Sequence, residues 1–231
     1  MEPAGKAHVF VADLDALDLA AGDRHHLARV LRVRTGDELT ASDGAGQWRR
    51  CRFGPRIEPI GVLERDELPQ PEITVAFALV KGERPEWVVQ KLTEVGVDRI
   101  VPFVAERSVV HWDADKAQRN HTRLLTVARE AAMQSRRAWL PVVEPIAAFD
   151  DVASRQGAAL AVRGGRPPTL THSVVLIGPE GGWSDRERDR GLPSVGLGPT
   201  VLRAETAAIV AGAALCGQRS ARYEPAGGHG G

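Results

Sequence analysis

Four short, mainly apolar runs, at 73–80, 99–104, 158–162 and 174–177, constrain the fold of this chain more than any other feature. Residues 73–80 are apolar almost without a break, as a strand needs when both of its faces are covered. Helical spacing separates several of the runs. Pro85 occupies a natural first helical position, Trp87, Val88, Lys91, Leu92 and Val95 follow at helical intervals, and Gly96 supplies a stop. A second helix is predicted over 115–133, with Leu124, Leu125, Ala128, Ala131 and Ala132 on one stripe. A third, over 206–218, is almost entirely Ala, Val, Ile, Leu and Gly. A helix that is apolar all round belongs in a core or against a second subunit. Strands alternating with helices predict an α/β layer fold with a parallel sheet.

The first 70 residues follow a different grammar. Strands are predicted around Val9–Val11, over 39–42 and 47–53 about the turn at Asp43-Gly44, and over 56–64. Between the first two, His25 to Arg32 reads as a helix with Leu27, Val30 and Leu31 on one face. This pattern predicts a small β-barrel carrying one helix. Leu68-Pro-Gln-Pro71 breaks it and sets the expected domains at 1–70 and 71–222, with a disordered tail at 223–231.

The chain of 231 residues has 30 basic and 30 acidic side chains, so whole-chain charge says nothing about partners. Its distribution does. From Arg24 to Arg56, eight arginines face three acidic residues, a local net charge of +5. Such a segment is either a footprint for nucleic acid or a plain solvated surface. Two isolated cysteines suggest no disulfide framework, and the seven histidines have no zinc spacing. The start lacks a signal-peptide pattern and no apolar run nears 18 residues, so a cytoplasmic protein without a metal is expected.

Two segments carry chemistry. In the first, the apolar run at 174–177 ends in Gly178-Pro-Glu-Gly-Gly182, and Ser184 with Glu187 stands at capping-box spacing beyond it. Glycines admit a ligand close to the backbone, and ligands of open α/β sheets sit at the carboxyl ends of strands. The same residues could make a tight strand-to-helix turn with no ligand. The second segment, Val195-Gly-Leu-Gly198-Pro-Thr-Val-Leu202-Arg-Ala-Glu205-Thr206, repeats the design before the last helix. Arg203 and Glu205 beside so apolar a helix need partners, either in a site or in a structural ion pair. The phosphate-loop, dinucleotide, nucleophile-elbow and zinc-protease signatures are absent.

These two segments, with His25-His-Leu-Ala-Arg-Val-Leu-Arg32, Gly36-Asp37, Lys81-Gly82, Gln90-Lys-Leu-Thr-Glu-Val-Gly96, Glu106-Arg-Ser108, Glu130-Ala-Ala132, Gln134-Ser135 and Arg137, resemble the 16S ribosomal RNA (uracil-N3)-methyltransferases. That family is a branch of the SPOUT superfamily with an N-terminal PUA-like domain. The resemblance implies a deep trefoil knot in the C-terminal half and a homodimer packed through knot helices. It implies S-adenosyl-L-methionine as cofactor, held around Leu176, Gly178, Pro179, Glu180, Gly181, Leu197, Gly198, Leu202 and Thr206. It further implies the small ribosomal subunit as partner and uridine 1498 of its 16S RNA as target. The chain departs from the family at Met133, where an acidic residue is usual, and Glu130 one turn earlier is a candidate substitute.

For methylation at N3, Glu205 is the candidate base and Arg203 or Arg137 the candidate cation, each with a purely structural role as its alternative. Arg24, Arg29, Arg32 and Arg34 are the candidate phosphate contacts, followed by Arg49, Arg50 and Arg52. Trp48 is either a stacking platform for a base or a core residue. Two other readings stand beside the enzyme: a non-catalytic RNA-binding protein of the same fold, and an α/β enzyme for another nucleotide-like ligand.

Overall fold

The computed structural model describes residues 5–19, 21–81 and 84–223. It divides into two compact units, one of residues 1–68 with 129–140 and one of residues 69–128 with 141–231. Residues 129–140 lie within the range expected for the second domain and yet pack in the first unit. The tail expected at 223–231 lies outside the described residues except for Tyr223, which ends a helix.

In the first unit, β1 (His8–Phe10) pairs in parallel with β2 (Glu38–Ser42). β2 forms an antiparallel hairpin with β3 (Gln47–Arg52), and β4 (Glu58–Pro59) and β5 (Glu64–Arg65) both pair with β3. The Asp43 carboxylate closes the hairpin turn by accepting from the Ala45 and Gln47 amides at 2.7 and 3.1 Å. Val9, Leu27, Leu39, Ala41 and Cys51 form the core with Ala132 and Met133. Each fully buried aliphatic side chain contributes about 1.5–3 kcal/mol. His8 is buried with Nδ1 2.7 Å from the Thr40 hydroxyl, and burial lowers its pKa to about 4.

Two expectations for this unit are corrected and one open choice is decided. The strand over 56–64 is two two-residue pairings, because the Ile60 and Gly61 amides both turn onto the Arg50 carbonyl. The helix starts earlier, as α1 (Ala21–His25), and widens into a π-turn at His26–Val30 before Arg32 adopts φ 53°. The wider turn changes which residues share a face, so Leu27 is buried while Leu31 is 45% exposed. Trp48 is a core residue, with Nε1 donating to the Asp66 carboxylate at 2.9 Å.

The second unit is an α/β layer built on a seven-stranded sheet. In chain order its strands are β6 (Thr74–Ala78), β7 (Arg99–Val104), β8 (Val142–Val143), β9 (Ala147–Ala148), β10 (Ala158–Arg166), β11 (Val174–Ile177) and β12 (Ser194–Val195). Their order across the sheet is β12-β10-β11-β6-β7-β8, with β9 also on β7, and every pairing is parallel. Alternate residues of β6 serve opposite layers, which explains its unbroken apolar run. Val75 and Phe77 pack with Val88, Leu92, Leu124, Ala208 and Leu215. These come from α2 (Arg84–Glu94), α3 (Ala114–Gln134) and α6 (Ala204–Tyr223). Ala76 and Ala78 pack with Phe103, Leu176, Trp183 and, from α4 (Phe149–Ala153), Phe149 and Val152. The stripe expected on α3 is narrower than its apolar spacing suggested, since Leu125 is 44% exposed.

α6 extends beyond the expected helix at both ends. Its last turns are anchored by Arg219, which is buried in an ion pair with Asp98. Arg219 also donates to the Pro71 and Gly96 carbonyls at 3.0 and 2.9 Å, while Asp98 accepts from the Ile73 amide at 2.9 Å. Among the described residues no helix is long and apolar enough to cross a membrane.

Candidate cofactor and substrate site

The two glycine-bearing segments of the sequence meet around one cavity of about 450 Å³ at the carboxyl end of β11 and beside the middle of β10. That volume suits a ligand of cofactor size. Gly178, Pro179 and Glu180 line it from the first segment, and Leu197, Gly198 and Leu202 from the second. Ala161, Val162 and Arg163 close a third side. The third side exists because β10 bulges. Val195 of β12 is in register with both Ala161 and Arg166, so residues 162–165 make an excursion between them. Gly196 runs against this excursion, and its amide donates to the Arg166 carbonyl at 2.7 Å. A Cβ on Gly196 would stand 2.2 Å from the Gly165 carbonyl oxygen, which only a pair of glycines tolerates.

Trp183 makes the floor. Its indole is 3% exposed and lies parallel to Phe103, at 6.2 Å between centroids and 6° between planes. Phe149 flanks it at 5.8 Å, and Nε1 donates to the Ala161 carbonyl at 2.9 Å. A Cβ on Gly178 would collide with the indole at 2.9 Å. The ring therefore fills the space a side chain would take at the end of β11 and leaves the backbone open to the cavity.

A capping box secures the loop beyond. Glu187 on α5 (Asp185–Arg188) is completely buried and accepts from the Ser184 amide at 2.8 Å, while Ser184 Oγ accepts from the Glu187 amide at 3.2 Å. The second Glu187 oxygen accepts from the Glu106 amide at 2.9 Å, tying this loop to the turn after β7.

Six of the nine candidate cofactor residues line the cavity: Gly178, Pro179, Glu180, Leu197, Gly198 and Leu202. Leu176 lies behind it in the aromatic layer, Gly181 faces Arg107, and Thr206 sits half-buried on α6 outside the lining. Arg203 lines the cavity and is exposed. Glu205 stands beside Ala204, which lines the cavity, with its side chain 9% exposed and Oε2 without a hydrogen-bond partner. Its Oε1 is 3.7 Å from Nε of Arg84, and a terminal nitrogen of Arg84 is 3.5 Å from Glu180. Sequence reasoning passed over Arg84, Trp183 and the 161–163 segment. Trp183 directly follows the glycine motif, whereas nothing local marks Arg84 as a neighbour of Glu205.

The remaining candidates belong to the first unit. Arg137 is half-buried there. Met133 is a core residue with its sulfur 3.4 Å from Arg129, and Glu130 is exposed. Arg24 is engaged internally, donating to the Gly54 carbonyl at 2.9 Å with its guanidinium over the Phe53 ring. Arg29, Arg32 and Arg34 are exposed, and no ion pair among the described residues uses Arg29 or Arg32. Arg49 donates to the Leu14 and Gly61 carbonyls, Arg50 pairs with Glu38 at 2.7 Å, and Arg52 is exposed.

Comparison with known proteins agrees with this geometry. An RNA methyltransferase domain family matches residues 66–216, and an RNA methyltransferase PUA domain matches residues 19–54. Ribosomal RNA small subunit methyltransferase E of Mycobacterium bovis is 34% identical over 229 residues, covering 86% of each chain. The Bacillus subtilis protein of that name is 29% identical, covering 89% of this chain and 91% of its own. Among solved structures, ribosomal RNA small subunit methyltransferase E from Neisseria gonorrhoeae, bound to S-adenosyl methionine, superposes with a TM-score of 0.74. It shares 28% identity and covers 90% of this chain and 96% of its own. With a matched domain over most of its length and a relative 34% identical across 86% of it, the chain belongs to the RNA methyltransferase family that includes ribosomal RNA small subunit methyltransferase E.

Proposed function

We propose that this chain is a cytoplasmic S-adenosyl-L-methionine-dependent methyltransferase that acts on N3 of a uracil in the 16S RNA of the small ribosomal subunit. Uridine 1498 is the site the family resemblance implies. The observation that carries the proposal is the convergence of the Gly178 and Leu197–Leu202 loops on one cavity at the carboxyl end of β11.

The cavity suits the cofactor chemically. Gly178 offers bare backbone over an apolar floor, Ile177, Leu197, Leu202 and Ala207 supply apolar contact, Glu180 offers a carboxylate to a cationic group, and Arg163, Arg188 and Arg203 offer cations to an anionic one. When bound, the cofactor supplies an already activated methyl group. What remains for the chain is alignment of that methyl with the uracil nitrogen, exclusion of water and removal of the N3 proton. N3 lies on the pairing edge of the base, so the target must be unpaired or turned out of its stack. The RNA-holding role falls to the first unit.

Mass mapping of 16S RNA from cells with and without the gene tests the proposal. N3-methyluridine present only with the gene is expected, and identical RNA from both would refute it.

For RNA contact, Arg29 and Arg32 are the strongest candidates, since they are exposed and Arg24 is committed internally. Replacing both with Ala should weaken RNA binding and flatten the salt dependence. Two lost phosphate contacts reduce the slope of log affinity against log salt by roughly 1.4–1.8. An unchanged slope in a filter-binding series would remove this surface from the interface.

The proposal extends to architecture. A trefoil knot is favoured by a strand order in which the chain pairs β11 on one side of β10 and then returns to pair β12 on the other, past the 162–165 excursion. A crystallographic trace that pulls straight from its two ends would remove the knot. A homodimer is favoured by α6, where Thr206, Ile209, Val210, Ala213 and Gly217 stay partly exposed at helical spacing. Sedimentation at micromolar concentration is expected to give twice the chain mass of 24.9 kDa, and a monomer would contradict this reading.

A further inference from the structure

From the Arg84–Glu205 pair we infer that this enzyme recognises uracil as an imide and removes its proton, with Glu205 accepting the N3 proton and Arg84 holding the adjoining carbonyl. The inference deepens the proposed function and rests on it.

The two residues are placed for this by different parts of the second unit. Arg84 opens α2 and Glu205 lies in the first turn of α6. Their separation of 3.7 Å, and that of 3.5 Å from Arg84 to Glu180, are ion-pair contacts longer than a good hydrogen bond. Arg84 therefore keeps donors available, and at 43% side-chain exposure it can reach a ligand. Glu205 is in the opposite condition. Its side chain is 9% exposed and Oε2 has no partner, a costly state for a buried carboxylate oxygen unless a donor arrives. Glu180 lines the cofactor cavity, as do Ala204 and Ala207 on either side of Glu205, so the pair stands at the edge of that cavity.

Uracil has the matching pattern. Its N3–H is a donor flanked by two carbonyl acceptors. An acceptor at Oε2 and a donor on Arg84 meet that edge as a pair. Cytosine has no proton at N3 and places a lone pair there, which Oε2 would repel. The pair thus reads the base and acts on it. The N3–H bond breaks and its proton joins Oε2. The freed pair on N3 bonds to the methyl carbon, and the pair of the breaking carbon–sulfur bond stays on sulfur. The carboxylate becomes a neutral acid as the sulfonium becomes a neutral thioether, so charge balances. Arg84 stabilises the negative charge that develops over N3 and the neighbouring carbonyl oxygen, the kind of fixed donor whose loss costs about 10²–10³ in rate.

The test uses small subunits reconstituted with 16S RNA transcribed with either uridine or 5-fluorouridine, whose N3 proton is more acidic. E205Q should lose about 10²–10⁴ of kcat on uridine. Its affinity for S-adenosylhomocysteine, read by calorimetry, should stay within about twofold, since the amide keeps shape and polarity at a residue outside the cavity lining. 5-Fluorouridine or raised pH should restore at least a tenth of the E205Q loss and change the wild type little. R84A should lose about 10²–10³ and R84K should recover part of it. Two results would overturn the inference: both variants turning over uridine within a few-fold of wild type, or a loss that neither the fluorinated base nor pH rescues. A wild type that forms no N3-methyluridine would defeat the proposed function itself, and this inference with it.

Discussion

Replacing Asp98 with Ala is expected to lower stability by about 3–5 kcal/mol, the usual cost of leaving a buried charge without its counter-ion. Arg219 is 6% exposed, and in the variant its guanidinium would keep the Pro71 and Gly96 carbonyls but no carboxylate. The Ile73 amide at the start of β6 would lose its acceptor as well. For a chain of this size the loss corresponds to roughly 6–20 °C in Tm. Arg219→Met should be comparably harmful, because it takes the counter-ion from the buried Asp98 carboxylate. The double variant Asp98→Leu with Arg219→Met should recover much of the loss, since apolar residues of similar volume often replace a buried pair without penalty. Calorimetric melting of all three variants decides it. Single variants within 2 °C of wild type would show that the pair does not anchor α6.

Trp183→Ala carries the second large effect. Removing a buried aromatic side chain costs about 3–5 kcal/mol. Here the vacancy would open between Phe103 and Phe149 and directly beneath Gly178. The Ala161 carbonyl would lose its donor, freeing the third wall of the cavity. Cofactor affinity should therefore fall at least tenfold, about 1.4 kcal/mol, together with the melting temperature. Trp183→Phe separates the two roles. It retains a ring on Phe103 but lacks the N–H, so it should lose only about 1 kcal/mol of stability. Calorimetric titration of S-adenosyl-L-methionine is the deciding measurement. Undiminished affinity in Trp183→Ala would mean that the indole supports the fold without shaping the cavity.

The places where structure departs from local sequence pattern share a cause. Ideal helical spacing puts Leu31 and Leu125 on the apolar faces of their helices, yet a π-turn changes the face at Leu31 and the packed stripe of α3 stops short of Leu125. The strand over 56–64 failed because its alternation could not reveal two amides turning onto the single carbonyl of Arg50. Trp48 had two sequence readings, and a hydrogen bond to Asp66, 18 residues away, settles its place in the core.

What the sequence determined by itself was the α/β layer, the positions of its apolar strands, the capping box at Ser184 and Glu187, and the two glycine loops. Each is written locally, in periodicity or in a residue type that a backbone turn requires. Tertiary structure alone decided that Trp183 floors the cavity, that the 162–165 excursion walls it, that Arg84 meets Glu205, and that Asp98 pairs with Arg219 across 121 residues. Periodicity records which face of an element is apolar. It does not record the order of strands across the sheet, and that order brings distant side chains within bonding distance.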